Sequence, residues 1–154
     1  MTNLNLLGRV LMSVAIAMAA FVPLLVDLSP THVFNTAWPA HARVHEVWLL
    51  STGAMLGLVA LYFTWFYRNN RALGIAMASV LMSCVLGGFF VAVVTAPLYG
   101  GILIDPATVH MMPNHDMAMG IPLNVFVFGL AFILLMIGTV IARRATRVAA
   151  IGSA

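Results

Sequence analysis

A chain of 154 residues has the length of one domain, but 63% of it is hydrophobic and only 7% charged, against about 25% charged in soluble domains. Lipid is therefore its expected solvent, which excludes a water-soluble globule. The net charge of +3 does not point to nucleic acid as a partner, because every basic residue is an arginine and these arginines sit at the ends of apolar runs instead of forming a basic face.

A helix needs about 20 apolar residues to cross the hydrocarbon core, and four runs of that kind occur, at about 6–26, 47–67, 72–97 and 123–142. They predict an all-α polytopic membrane protein, a four-transmembrane-helix up-down bundle with residues 1–154 as one domain. The first run carries Arg9, placed where its long side chain is expected to snorkel toward the interface. Arg9 followed by an apolar stretch with Ala17, Ala19 and Ala20 also has the composition of a signal peptide; the run is read as a span. Pro23 is expected to kink it, since proline offers no N–H and its ring crowds the preceding turn.

The second run contains Gly53 and Gly57 at small-xxx-small spacing, and the third contains Gly87 and Gly88. Both pairs predict close helix contact, within the chain or across a dimer face. Cys84 lies mid-span and is expected to pack; a single cysteine makes no disulfide and no Cys-x-x-Cys motif. Pro97 is expected to end the third span. No Asp, Glu, His or Lys lies within a run, which argues against ion-coupled transport and against a haem held by histidines between helices.

Topology follows from the arginines. Arg9, Arg68, Arg71, Arg143, Arg144 and Arg147 fall on one side and Arg43 alone on the other, so the positive-inside rule predicts cytoplasmic N- and C-termini in a plasma or inner membrane. Trp38 and Trp48 would mark the outer interface, Trp65 and Tyr67 the inner one.

Two longer connections, about 27–46 and 98–121, then face outward and hold all five histidines and all four acids. Sidedness alone means little, since most residues outside the lipid lie in those connections. Spacing means more. Pro39 suits a first helical position, and His41 and His45 then share a face and can reach one ion with nitrogens about 2.0–2.1 Å away. Glu46 is turned from them by about 100°, so it is either a ligand on another face or a group that orients a ligand. The second connection reads His110-Met-Met-Pro-Asn-His115-Asp-Met-Ala-Met119. Thioethers with imidazoles favour copper, whereas imidazoles with Asp116 or Glu46 suit zinc or iron. His32, His41, His45, Glu46, His110, His115 and Asp116 are thus the candidate ligands of a metal ion, with copper, zinc and iron all open.

Each candidate has a plainer reading. His41 and His45 can serve as interfacial hydrogen-bonding groups. Met111, Met112, Met117 and Met119 can form an apolar loop resting on lipid or on a partner. Asp27 and Asp105 suit caps or turns, as Asp105-Pro106 suggests, and Arg43 suits a headgroup or a carboxylate.

Thr31-His32-Val33-Phe34-Asn35, Trp38-Pro39, His41-Ala42-Arg43 and His45, with Trp48 following, resemble a family of small four-span membrane proteins known under a domain-of-unknown-function label. The likeness covers mainly residues 27–48 and the span count. It implies the four-span architecture and draws attention to His32, Asn35, His41, Arg43 and His45, and it names no reaction. The methionine-rich connection lies outside it. Two functions follow as expectations. The first is a metal site on the outer face, serving an enzyme that acts on a membrane-embedded substrate or a copper-handling accessory. The second is a structural or assembly subunit whose polar cap meets other membrane-protein subunits. No Ser-His-Asp order or glycine-rich phosphate loop raises a third class.

Overall fold

The computed structural model describes residues 3–104 and 117–151. Helix α1 (Asn3–Ile16) passes through a π-helical segment (Ala17–Phe21) into α2 (Val22–Asp27). Proline explains the segment. In a regular helix the ring of Pro23 would crowd the Ala19 carbonyl and offer it no N–H. The Val22 N–H instead reaches back to the Ala17 carbonyl, which widens the turn by one residue just before the ring. The expected kink takes this form, and the helix continues to Asp27.

Helix α3 (Ala40–Trp65) starts about two turns ahead of the apolar run. Pro39 caps it in an extended conformation, φ −54° and ψ 137°, and so stands one place before the first helical residue, not at it. Helix α4 (Arg71–Tyr99) follows after a short turn. The Asn70 side chain accepts from the Leu73 N–H at 3.0 Å, filling the N-cap role. Pro97 does not end α4, contrary to expectation. It removes only its own bond to the preceding turn, and the helix closes at Gly100, whose φ of 70° is the left-handed conformation glycine adopts without steric cost. The Gly100 and Gly101 N–H groups both turn back to the Ala96 carbonyl.

A two-stranded hairpin, β1 (Met117–Ala118) and β2 (Ile121–Pro122), pairs Met117 with Pro122 and Ala118 with Ile121. Its turn residues Met119 and Gly120 both have positive φ, 53° and 80°, the geometry of a type I′ turn. Helix α5 (Leu123–Ile151) follows the hairpin directly. Among the described residues, four helical stretches, with α1 through α2 counted as one, are long and apolar enough to cross a membrane.

Helix α1 runs antiparallel to both α5 and α3. Gly8 sits on Ala142 while Met12 sits on Gly138, and Arg9 meets Thr64 while Ala20 meets Gly57. Small residues make this possible, since in lipid close backbone approach supplies the packing that hydrophobicity cannot. A β-carbon on Gly8 would lie 2.5 Å from the Ala142 nitrogen, and one on Gly138 would lie 2.7 Å from the Gly8 oxygen. Met12, Ala15, Ile16, Ala60, Ala78, Met82, Leu86, Ala131 and Leu135 form the core. Phe89 stacks on Phe128 at 4.3 Å between centroids and joins α4 to α5.

The expected glycine contacts are corrected in part. Gly57 is in contact, but β-carbons on Gly53, Gly87 and Gly88 would meet nothing within 4 Å. Cys84 is exposed on the bundle exterior, because its position on α4 faces away from the neighbouring helices. The up-down order leaves two chemically different ends. Asp27, the 28–39 connection, the start of α3 and the hairpin share one; Arg9, Arg68, Arg71 and Arg143 share the other.

Candidate functional site

At the histidine end, the 28–39 connection is a series of tight turns. His32 N–H and Phe34 N–H both reach the Ser29 carbonyl at 3.2 and 3.0 Å, and Val33 N–H reaches the Asp27 carbonyl at 3.1 Å. Asn35 accepts from the Ala37 N–H at 2.9 Å, a turn mimic natural to that side chain. Buried Thr31 anchors the segment, and its hydroxyl bonds both Ser29 Oγ at 2.8 Å and His32 Nδ1 at 2.9 Å.

His32 therefore faces back to the end of α2, with Nδ1 3.7 Å from Asp27 Oδ1. Its ring lies edge-on to Trp38 at 5.5 Å. Half-buried Glu46 lies close enough to feel the charges of both Asp27 and His32. Asp27 thus does more than end a helix, and Glu46 turns toward this group and away from His41 and His45, as the helical offset from His45 requires.

His41 and His45 lie on a separate, exposed face of α3. Their Nε2 atoms are 3.0 Å apart and their rings are nearly perpendicular, at 83°. One imidazole must donate and the other accept at that distance. The Trp48 ring follows 5.9 Å from His45 and is 65% exposed. The expectation that α3 extends beyond its apolar run and presents both histidines together is met by this geometry.

His110, His115 and Asp116, with Asp105, Met111 and Met112, lie outside the described residues. Among the described residues no three His, Cys, Asp or Glu side chains are placed to hold one metal ion. His32 joins Asp27 instead of the His41–His45 pair. Of the methionines in the second connection, Met117 is exposed on β1, and Met119 sits 91% exposed at the hairpin tip.

The arginine end holds what sequence reasoning missed. Arg9 does not snorkel to the surface; it is only 6% exposed. Its Nε donates to the Thr64 carbonyl at 2.7 Å and its Nη2 to the Trp65 carbonyl at 3.0 Å, satisfying carbonyls left open where α3 ends. The guanidinium lies 4.3 Å from the Trp65 ring centroid, and Trp65 Nε1 donates to Ser13 Oγ at 2.8 Å. The available signal was an arginine one turn inside an apolar run beside Gly8, a place where another helix can come close.

Four long apolar helices in up-down order, with a histidine-bearing cap at one end and arginines at the other, define a polytopic four-helix membrane protein. Within that class the chain belongs to the family described as a family of unknown function (DUF6640), which matches residues 11–147. No curated protein and no solved structure matches the chain.

Proposed function

We propose that the chain lies in a plasma or inner membrane with both termini cytoplasmic, and that its outer end binds a metal ion through His41 and His45. The carrying observation is the 3.0 Å separation of their Nε2 atoms. An ion about 2.0–2.1 Å from each nitrogen would subtend roughly 91–97° there. That angle suits adjacent positions of a square or octahedral site, and opening the pair by a few tenths of an ångström suits a tetrahedral one. Two imidazoles leave further positions to fill. The proposed remaining donors are His110, His115 and Asp116, outside the described residues, because α4 ends and the hairpin begins at the histidine end; His32 faces Asp27 instead. Imidazoles and Asp116 would favour zinc or iron, and recruited methionine sulfur would favour copper. Such a site serves a metal-dependent enzyme acting on a substrate in the bilayer, or a metal-handling accessory.

The test is the metal content of protein purified in mild detergent without a histidine tag and supplemented with copper, zinc or iron. His45→Ala and His41→Ala should each lose most of the bound metal, whereas Arg43→Ala should retain it. Equal content in all variants, or none in the parent, would reject the site. The exposed Trp48 beside His45 supports a second reading, in which this face docks another subunit of a membrane complex. Co-purification of a partner lost on Trp48→Ala, with no metal bound, would favour it.

A further inference from the structure

At the histidine end, packing alone gives the 28–39 connection a light hold. Helix α2, which leads into it, buries no residue, Leu28 and Phe34 are exposed, and Thr31 and Val33 are its only buried residues. Among the described residues its hydrogen bonds run only between positions 27 and 38, so none ties it to α3. We propose that His32 is a proton-operated latch: with its imidazole protonated it binds ionised Asp27 and holds the connection against the ends of α2 and α3, and on losing the proton it releases the connection.

The neutral ring has no hydrogen bond with Asp27 to lose. Nδ1 is 3.7 Å from Asp27 Oδ1, beyond hydrogen-bond reach, whereas Thr31 Oγ1 takes the same nitrogen at 2.9 Å. The hydroxyls serve both protonation states. Thr31 Oγ1 lies 2.8 Å from Ser29 Oγ, and a hydroxyl donates or accepts, so the Ser29–Thr31–His32 chain reverses direction as Nδ1 gains or loses its hydrogen. Charge alone separates the two states. The imidazolium is drawn to Asp27 of α2 and to Glu46 of α3, and among the described residues these are the charged groups that bear on His32. Loss of the proton leaves two carboxylates and no cation, and like charges so placed repel.

The proton comes from the aqueous medium at this end of the bundle, since the His32 side chain is 37% exposed. Imidazole is the side chain whose charge changes between about pH 5 and pH 8. The hold is therefore present in the acid part of that window and is lost as pH rises through it. The latch requires no metal at His41 and His45.

Nuclear magnetic resonance of the full chain in mild detergent tests the latch by two readouts. The His32 titration midpoint should fall by about one pH unit in Asp27→Asn, the effect of removing one facing charge. The Val33 N–H, which donates to the Asp27 carbonyl, reports the hold through its hydrogen-exchange protection, corrected for the intrinsic rate. In the parent that protection should fall about tenfold between about pH 5.5 and pH 8, because one unit of midpoint is a tenfold change in the holding equilibrium. In His32→Gln, which keeps a polar side chain beside Thr31 but takes up no proton, protection should not vary with pH. His41 and His45 remain in that variant, so their own titration cannot imitate the result. An unmoved midpoint in Asp27→Asn, or the same pH dependence in His32→Gln as in the parent, would overturn the latch. Should Asp27→Asn fail to fold, the comparison of the parent with His32→Gln decides alone.

Discussion

Replacing Gly8 by alanine strikes the close backbone crossing of α1 and α5. The added β-carbon would lie 2.5 Å from the Ala142 nitrogen, 2.7 Å from the Gly138 oxygen and 2.9 Å from the Ala142 α-carbon. All three are backbone atoms, so no side chain can rotate out of the way. Restoring ordinary contact at 3.4 Å requires α1 and α5 to part by about 0.9 Å, the difference between 3.4 and 2.5. A gap of that size forfeits about a quarter to a half of each dispersion contact along the interface. Overpacking typically costs about 1–3 kcal/mol, and the rigid backbone opposite puts this case toward the upper part of that range. Alanine's helical advantage over glycine, at most about 1 kcal/mol, offsets only part of it. Gly53→Ala is the matched control, because its β-carbon meets nothing within 4 Å and only the helical gain remains. Unfolding in mixed micelles by titration with a denaturing detergent, followed by tryptophan fluorescence, should show Gly8→Ala giving way well before the parent and Gly53→Ala at or beyond it. Coincident midpoints for the two variants would refute the crossing.

Arg9→Leu should destabilise the bundle by about 1–3 kcal/mol in the same assay, because the Thr64 and Trp65 carbonyls lose their donor. Arg9→Lys should recover only part of that, since one ammonium does not reproduce the guanidinium fork; parent-like stability of Arg9→Leu would dismiss the capping role. For orientation, exposed Cys84 must first be removed by Cys84→Ser. A cysteine introduced by Asn69→Cys, which spares the capping Asn70, should then react with an impermeant thiol reagent only from the cytoplasmic side. Reaction from outside would invert the proposed topology.

The two ends of the molecule differed in how much could be read beforehand. His41 and His45 were paired by a local rule, since four residues is about one turn and the turn needs only a helix to exist. His32 was not separable from them by the same rule. Its partner is set by Thr31 Oγ1 and by the fold of the 28–39 turns, which aim it at Asp27. Arg9 was misplaced for a related reason. Snorkelling and burial are both open to a long cation near a helix end, and the choice falls to burial only when another helix presents carbonyls within reach.

Composition and run length determined that four helices form and alternate in direction, because in a bilayer each backbone N–H and C=O must find its partner within its own segment. Arginine placement likewise marked one end of the bundle before any contact was known. Which face of each helix meets which neighbour was decided only by tertiary structure. Lipid and core side chains are equally apolar here, so no hydrophobic stripe distinguishes them, and the choice rests on steric fit. Gly8 and Gly138 are in contact while Gly53, Gly87 and Gly88 are not, a difference set by the crossing of whole helices and not by glycine itself.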